Sequence, residues 1–416
     1  MKMSRVLTCV VFLTVAVGFS VGADGNTSMP AAPMLGQPGS LLEVYGVIDL
    51  ATRVATQANA AGDTFFGFSQ GLFNGSRWGL RGTEAIVGSL KAIYTLEGGV
   101  IVPAGTIDQQ GQIFGRQAWV GVSSDYGTLT FGRQYGTFSD AIGAGDVFGA
   151  AHGNGVYANS PTAATNYGGN DGVNAFFLSQ SGLRWDDSIK YAANFGGIAI
   201  GAMAVPGQIF GTNTAGYFPE YSMFAGSIGY SSKDLPVSGM LGAQAEFDLN
   251  NDVHSAFGGG LKFAFDPTDA VYAFYFHSTF DKGFVKIQNG DSEFGKFGVA
   301  DNVTAYGRVD DIANVAVNYY VTPSLNLIAS YYFDYAQNVL AAGDNGMRDS
   351  FLGVVDYYFT KEFDAYIGAS YTAFSSALQT AGFSNQNSAV GGSYTATATN
   401  SVSGVFDAML GARYRF

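Results

Sequence analysis

The sequence predicts an all-β transmembrane barrel of about sixteen antiparallel strands. Three observations lead there. Apolar and polar side chains alternate at a period of two through most of the chain. A secretory leader opens it. No later segment supplies the roughly 20 consecutive apolar residues of a membrane-spanning helix. Yet 47% of the residues are hydrophobic, with 3 Trp, 24 Tyr and 34 Phe spread along the length. A chain this apolar without helical spans has one membrane solution: it pairs its backbone groups between strands and closes on itself.

Lys2 and Arg5 form a short basic region, Val6 to Val21 is apolar, and Val21-Gly22-Ala23 is a small-residue cleavage site. Residues 1–23 are therefore expected to be a signal peptide, and the lone Cys9 leaves with it. A lipoprotein reading of Cys9 fails because the apolar region follows the cysteine instead of preceding it. The net charge of −13 becomes more acidic once Lys2 and Arg5 are removed, which excludes nucleic acid as a partner. Residues 24–40 hold Pro30, Pro33 and Pro38 without periodicity and read as a flexible periplasmic extension. The barrel is expected over residues 41–416.

Within the barrel, tight turns alternate with long polar connections. The turns fall near Glu84–Ser89, Ser124–Gly127, Gly196–Gly197, Lys233–Pro236, Asp266–Asp269, Thr322–Ser324 and Thr360–Glu362. The long connections lie near 57–66, 103–112, 136–182, 206–219, 250–254, 282–300, 339–347 and 377–400. Short turns on one side and long loops on the other give sixteen strands with both termini on the short-turn side. That is the bacterial outer-membrane pattern.

Several strands have assignable faces. Arg77, Gly79 and Arg81 oppose Trp78 and Leu80. Lys91, Thr95 and Glu97 oppose Leu90, Ala92, Tyr94 and Leu96. Arg184, Asp186, Ser188 and Lys190 oppose Leu183, Trp185, Ile189 and Tyr191, with Asp187 the exception. In the last strand Phe406, Ala408, Leu410, Ala412, Tyr414 and Phe416 oppose Asp407, Met409, Gly411, Arg413 and Arg415. A charged side chain at the lipid midplane costs about 2–4 kcal/mol, so the polar faces turn inward. A barrel of roughly 16 strands is too wide for side chains to fill and encloses an aqueous channel.

Three stretches carry a family resemblance. They are Gly75–Glu84 (GSRWGLRGTE), Leu90–Gly99 (LKAIYTLEGG), and Phe114–Tyr135, which begins FGRQAWVG and ends GTLTFGRQY. Together they resemble the general diffusion porins of Gram-negative outer membranes, the group with neisserial and burkholderial members. The resemblance covers the first third and the final strand, and the middle strands match in pattern alone. It implies a sixteen-stranded barrel in the cell outer membrane, a homotrimer, and a third outer loop folded inward to narrow the pore. It also implies that Tyr414 and Phe416 on the last strand are read by the barrel assembly machinery. Two departures stand out: the extension before the first strand, and a third loop that matches little beyond Asp140 and Asp146–Gly149.

The resemblance also places Arg77, Arg81, Arg133 and Arg184 on a basic pore wall. Asp140 and Asp146 of the acidic third connection would face it. Such an arrangement sets a transverse field across a narrow gap and sorts polar solutes by charge. Strict alternation puts Arg133 with Leu129 and Phe131. It therefore needs a bulge near Gly132, or it sits beyond the bilayer edge. Arg116 is a lesser candidate, because its strand has no clean polar face.

Enzyme signals are weak. Gly67-Phe68-Ser69-Gln70-Gly71 matches a nucleophile-elbow pattern, but that elbow needs a strand entering a helix. His152, His254 and His277 are far apart without metal-ligand spacing, so neither a metal nor another cofactor is expected. The expected function is passive diffusion of small hydrophilic solutes and ions. The alternative is a channel selective for a sugar, phosphate or organic acid, and a purely structural or adhesive barrel is a third class. Partners are then outer-membrane lipid, copies of the chain and the solutes. The sign of ion selectivity stays open, since an acidic chain and an arginine-rich wall push in opposite directions.

Overall fold

A computed structural model describes residues 40–56, 63–148, 184–206, 222–231, 235–248, 250–284, 306–339, 341–379 and 403–416. The expected signal peptide and nearly all of the expected extension lie outside them. The strands are β1 (Ser40–Ala55), β2 (Phe65–Gln70), β3 (Arg77–Val87), β4 (Leu90–Ile101), the short β5 (Thr106–Ile107), β6 (Gln117–Ser124) and β7 (Gly127–Tyr135). After helix α1 (Thr137–Gly143) come β8 (Arg184–Phe195), β9 (Ile198–Val205), β10 (Met223–Ser231), β11 (Val237–Phe247), β12 (Val253–Ala264) and β13 (Ala270–Phe280). The remainder are β14 (Val309–Thr322), β15 (Leu325–Gln337), β16 (Gly346–Tyr358), β17 (Phe363–Ser376) and β18 (Gly404–Arg415).

Each strand pairs antiparallel with its neighbour, and β18 returns to β1, so the sheet is closed. Both β2 and β3 pair with β1, and β5 is a side hairpin on β4. The wall is thus a barrel of sixteen strands. Closure leaves no unpaired edge, the condition for crossing lipid. All seven expected tight turns separate consecutive strands.

Alternation decides the faces. On β18, Phe406, Leu410 and Tyr414 are exposed on the outside, while Asp407, Met409 and Arg413 are buried on the inside. On β17, Ile367 and Tyr371 are outside while Asp364, Tyr366 and Ser370 are inside. Among the described residues no helix is long and apolar enough to cross a membrane, and the crossing elements are strands.

Two irregularities shape the interior. Between Gly132–Ser188 and Gln134–Trp185 the register slips, so Asp186 and Asp187 of β8 stand against the single Arg133 of β7. Asp187 takes a left-handed backbone (φ 50°) to make this bulge. Strict alternation is lost beyond it, and Arg184 and Trp185 are both buried. Trp185, expected outside with Ile189, instead packs inside with Met203, Val205 and Met223. The second irregularity lies between Leu50–Gln70 and Val47–Arg77, where Ile48 and Asp49 of β1 face the whole stretch Gly71–Ser76.

The start of the longest connection lies against the inner wall. Helix α1 touches β9 through β13, and Phe138 and Ile142 join a buried cluster with inward side chains from Phe276 to Tyr366. The approach is close enough that a Cβ at Gly260 would meet the Gly145 nitrogen at 2.1 Å. Residues 149–183 of that connection lie outside the described residues.

Candidate functional site

The inner wall of β3, β4 and β6–β8 gathers arginines around one tyrosine and one carboxylate. Alternation turns Arg77 of β3 and Glu97 of β4 inward. Arg116, on the residue before β6, donates from Nε to Glu97 Oε1 at 2.7 Å and from Nη2 to Tyr135 Oη at 2.8 Å. Its backbone nitrogen also bonds the Glu97 carbonyl at 3.1 Å, which fixes where the side chain starts. Tyr45 of β1 donates to the other Glu97 oxygen at 2.9 Å. Arg184 lies over the Tyr135 ring, 5.1 Å from its centroid. Arg77 feels the charges of Arg116, Glu97 and Arg184. Three guanidiniums therefore stand about one carboxylate and one phenol on a single stretch of wall.

This grouping differs from the sequence expectation. Arg77 and Arg184 are in it, and so is Arg116, the lesser candidate. Arg81 is apart: it lies toward the short-turn end, 56% exposed, in a 2.6 Å pair with Glu43. Arg133 has its own partners. It stands in register with Ala118 of β6 and is buried. There it bonds the Gly115 carbonyl at 2.6 Å and Asp186 at 2.8 Å. The expected break near Gly132 is present, in the register slip beside it and in the Gly132 φ of 121°.

The acidic residues also differ in placement. Asp140 on α1 pairs with Lys190 of β8 at 2.6 Å, and that lysine also donates to the Tyr135 carbonyl at 3.0 Å. Asp140 thus sits beside the arginine cluster and not across from it. Asp146 reaches the far side, where the Tyr332 hydroxyl of β15 approaches it at 3.4 Å.

Other inward arginines pair with aspartates on β14–β18. Arg308 meets Asp310 at 3.0 Å, Arg348 meets Asp334 at 3.0 Å, and Arg53 forks onto Asp407. Arg413 meets Asp364 at 3.0 Å and Asp356 at 3.4 Å. Sequence reasoning singled out neither Arg53, Arg308 nor Arg348, although inward parity beside an aspartate was the available signal.

Ser69 sits on β2 and donates to the Gln70 carbonyl at 2.9 Å, with no helix following it. His254 lies between Glu246 at 3.3 Å and Ser278 at 3.0 Å, and His277 meets Asp311 at 2.8 Å. His152 is outside the described residues. Among the described residues no group of His, Cys, Asp or Glu could hold a metal ion.

The model of a Gram-negative porin family matches residues 13–377. The chain belongs to that family. Among curated relatives, this porin is 38% identical over 146 residues to an outer membrane porin protein of Bordetella pertussis, covering 31% of this chain and 38% of that one. It is 32% identical over 164 residues to outer membrane porin protein 32 of Delftia acidovorans, covering 39% and 43%. The matched stretch thus spans less than half the length of either relative. The fold is similar to that of the anion-selective porin from Comamonas acidovorans, with TM-score 0.65 at 18% identity over 91% of this porin and 100% of that chain. The trimer form of OmpT from Vibrio cholerae gives TM-score 0.56 at 17% identity over 91% and 100%. The porin resides in the outer membrane.

Proposed function

We infer that this porin is a passive outer-membrane channel for small hydrophilic solutes and ions, and that its narrow point favours anions. One observation carries the reading: Arg77, Arg116 and Arg184 gather on the inner wall of a closed sixteen-strand barrel. In a narrow gap with low-dielectric walls, fixed charges act on a passing ion more strongly than in bulk water. Three guanidiniums against one carboxylate among the described residues make that stretch of wall positive despite the acidic chain. Residues 144–148, with Asp146 at Tyr332, reach toward the other side of the gap and narrow it. The similar fold of a porin described as anion-selective agrees with this sign.

The chain works as a homotrimer, as the trimer form of the Vibrio protein does. Residues 1–23 are removed as a signal, and Tyr414 with Phe416 presents the last strand to the assembly machinery. Planar-bilayer conductance with a panel of solutes tests the channel reading. A small preference for anions without saturation is expected. Saturation and block by one solute class would instead make the channel substrate-selective, and absence of conductance would leave a structural barrel.

A further inference from the structure

The break between β2 and β3 turns Gly71–Ser76 inward. Asp49 of β1 organises it: one carboxylate oxygen accepts from the Phe73 and Asn74 nitrogens at 3.0 and 2.7 Å. The other accepts from the Tyr366 hydroxyl at 2.6 Å, and that hydroxyl accepts in turn from the Leu72 nitrogen at 2.7 Å. Because β17 lies beyond β18 from β1, these bonds lay the broken stretch across the inner wall. A buried carboxylate with three donors is well satisfied, so the turn is a built feature of the wall.

Phe73 is the ring this turn delivers. It meets Tyr366 edge-on at 4.9 Å between centroids, and the Arg413 guanidinium lies 4.2 Å from its centre. A further ring neighbour comes from the long connection: Phe148, at 5.7 Å. Residues 137–148 are therefore held twice. Helix α1 rests on β9–β13, and the far end rests on Phe73, with Asp146 at Tyr332 between them. Tilted and edge-on rings at these separations attract beyond simple burial.

We propose that Phe73 is a positioning residue for the constriction. Seated on Tyr366, it holds Phe148, and that contact fixes how far residues 137–148 reach over the lumen, which sets the size of solute that passes. The inference rests on the channel reading above. Phe73 itself is only 7% exposed, so it acts through Phe148 and not by touching solute.

Liposome swelling with a series of sugars of rising size tests it on the full-length protein, using Phe73→Ala, Phe148→Ala and the double variant. The expected result is a several-fold rise in the trisaccharide-to-monosaccharide rate ratio for each single variant. The double variant should rise no further, because both changes release one contact. An unchanged ratio in correctly folded Phe148→Ala would overturn the proposal, and so would additive rises, which mean two independent wall contacts. Phe148→Ala carries the test even where Phe73→Ala lowers folded yield. Wild-type protein that admits no sugar at all would refute the channel reading instead.

Discussion

Phe416 and Gly46 exchange both backbone hydrogen bonds, at 3.0 and 3.1 Å, and the Phe416 ring fills the space of a side chain at 46. A Cβ on Gly46 would meet Cζ of that ring at 2.3 Å. The last residue of the chain thus closes the seam between β18 and β1 over a position that only glycine leaves open. Gly46→Val, like deletion of Phe416, is expected to lower the amount of heat-modifiable barrel in the outer membrane. Unchanged folded levels in both variants would contradict this.

The Arg53–Asp407 pair crosses the same seam, with side chains 2% and 0% exposed. Removing one partner of a buried pair strands the other charge, at about 3–5 kcal/mol. Arg53→Met, which strands the Asp407 carboxylate, should therefore lower the urea midpoint of barrels in lipid vesicles sharply. Arg53→Met with Asp407→Leu should recover most of that loss, since apolar replacement of a whole pair is often neutral.

The barrel was legible in the sequence because strand faces and turn chemistry are local. Asp407 and Arg413 opposite Leu410 and Tyr414 need no distant information, and Gly196–Gly197 marks a hairpin by itself. What stayed hidden depends on partners far along the chain. Leu72 and Phe73 read as more strand, and only Asp49 and Tyr366 show why they turn inward. Asp186 and Asp187 hold a bulge whose extra residue could sit on either strand of the pair. Arg116 follows a non-periodic loop, so its bond to Glu97 had no signal in its own neighbourhood.

Placement of Arg133 yields a sharp contrast. Arg133→Ser should move the zero-current potential less than loss of a cluster arginine does, because Asp186 offsets its charge at 2.8 Å. By contrast, Asp140→Asn should move the potential in the anion direction by freeing the charge of Lys190. A cation-directed shift in Arg133→Ser as large as that of Arg116→Ser would contradict this.

Gly260→Val tests the seat of α1. A side chain there displaces Gly145 and the Ile142 carbonyl, the latter 2.8 Å from the new Cβ, and pushes the segment off the wall. Single-channel conductance should fall while folded yield holds. Equal conductance would show that residues 137–148 do not limit the pore.

The most direct test of the account is the zero-current potential across a bilayer in a dilute salt gradient, for wild type and for Arg77→Ser, Arg116→Ser and Arg184→Ser combined. Wild type should show the anion sign despite a chain charge of −13. The triple variant should move toward cations, and the difference should shrink near 1 M salt, where the Debye length is about 3 Å. A cation sign in wild type, or an unmoved potential in folded triple variant, would contradict the arginine constriction.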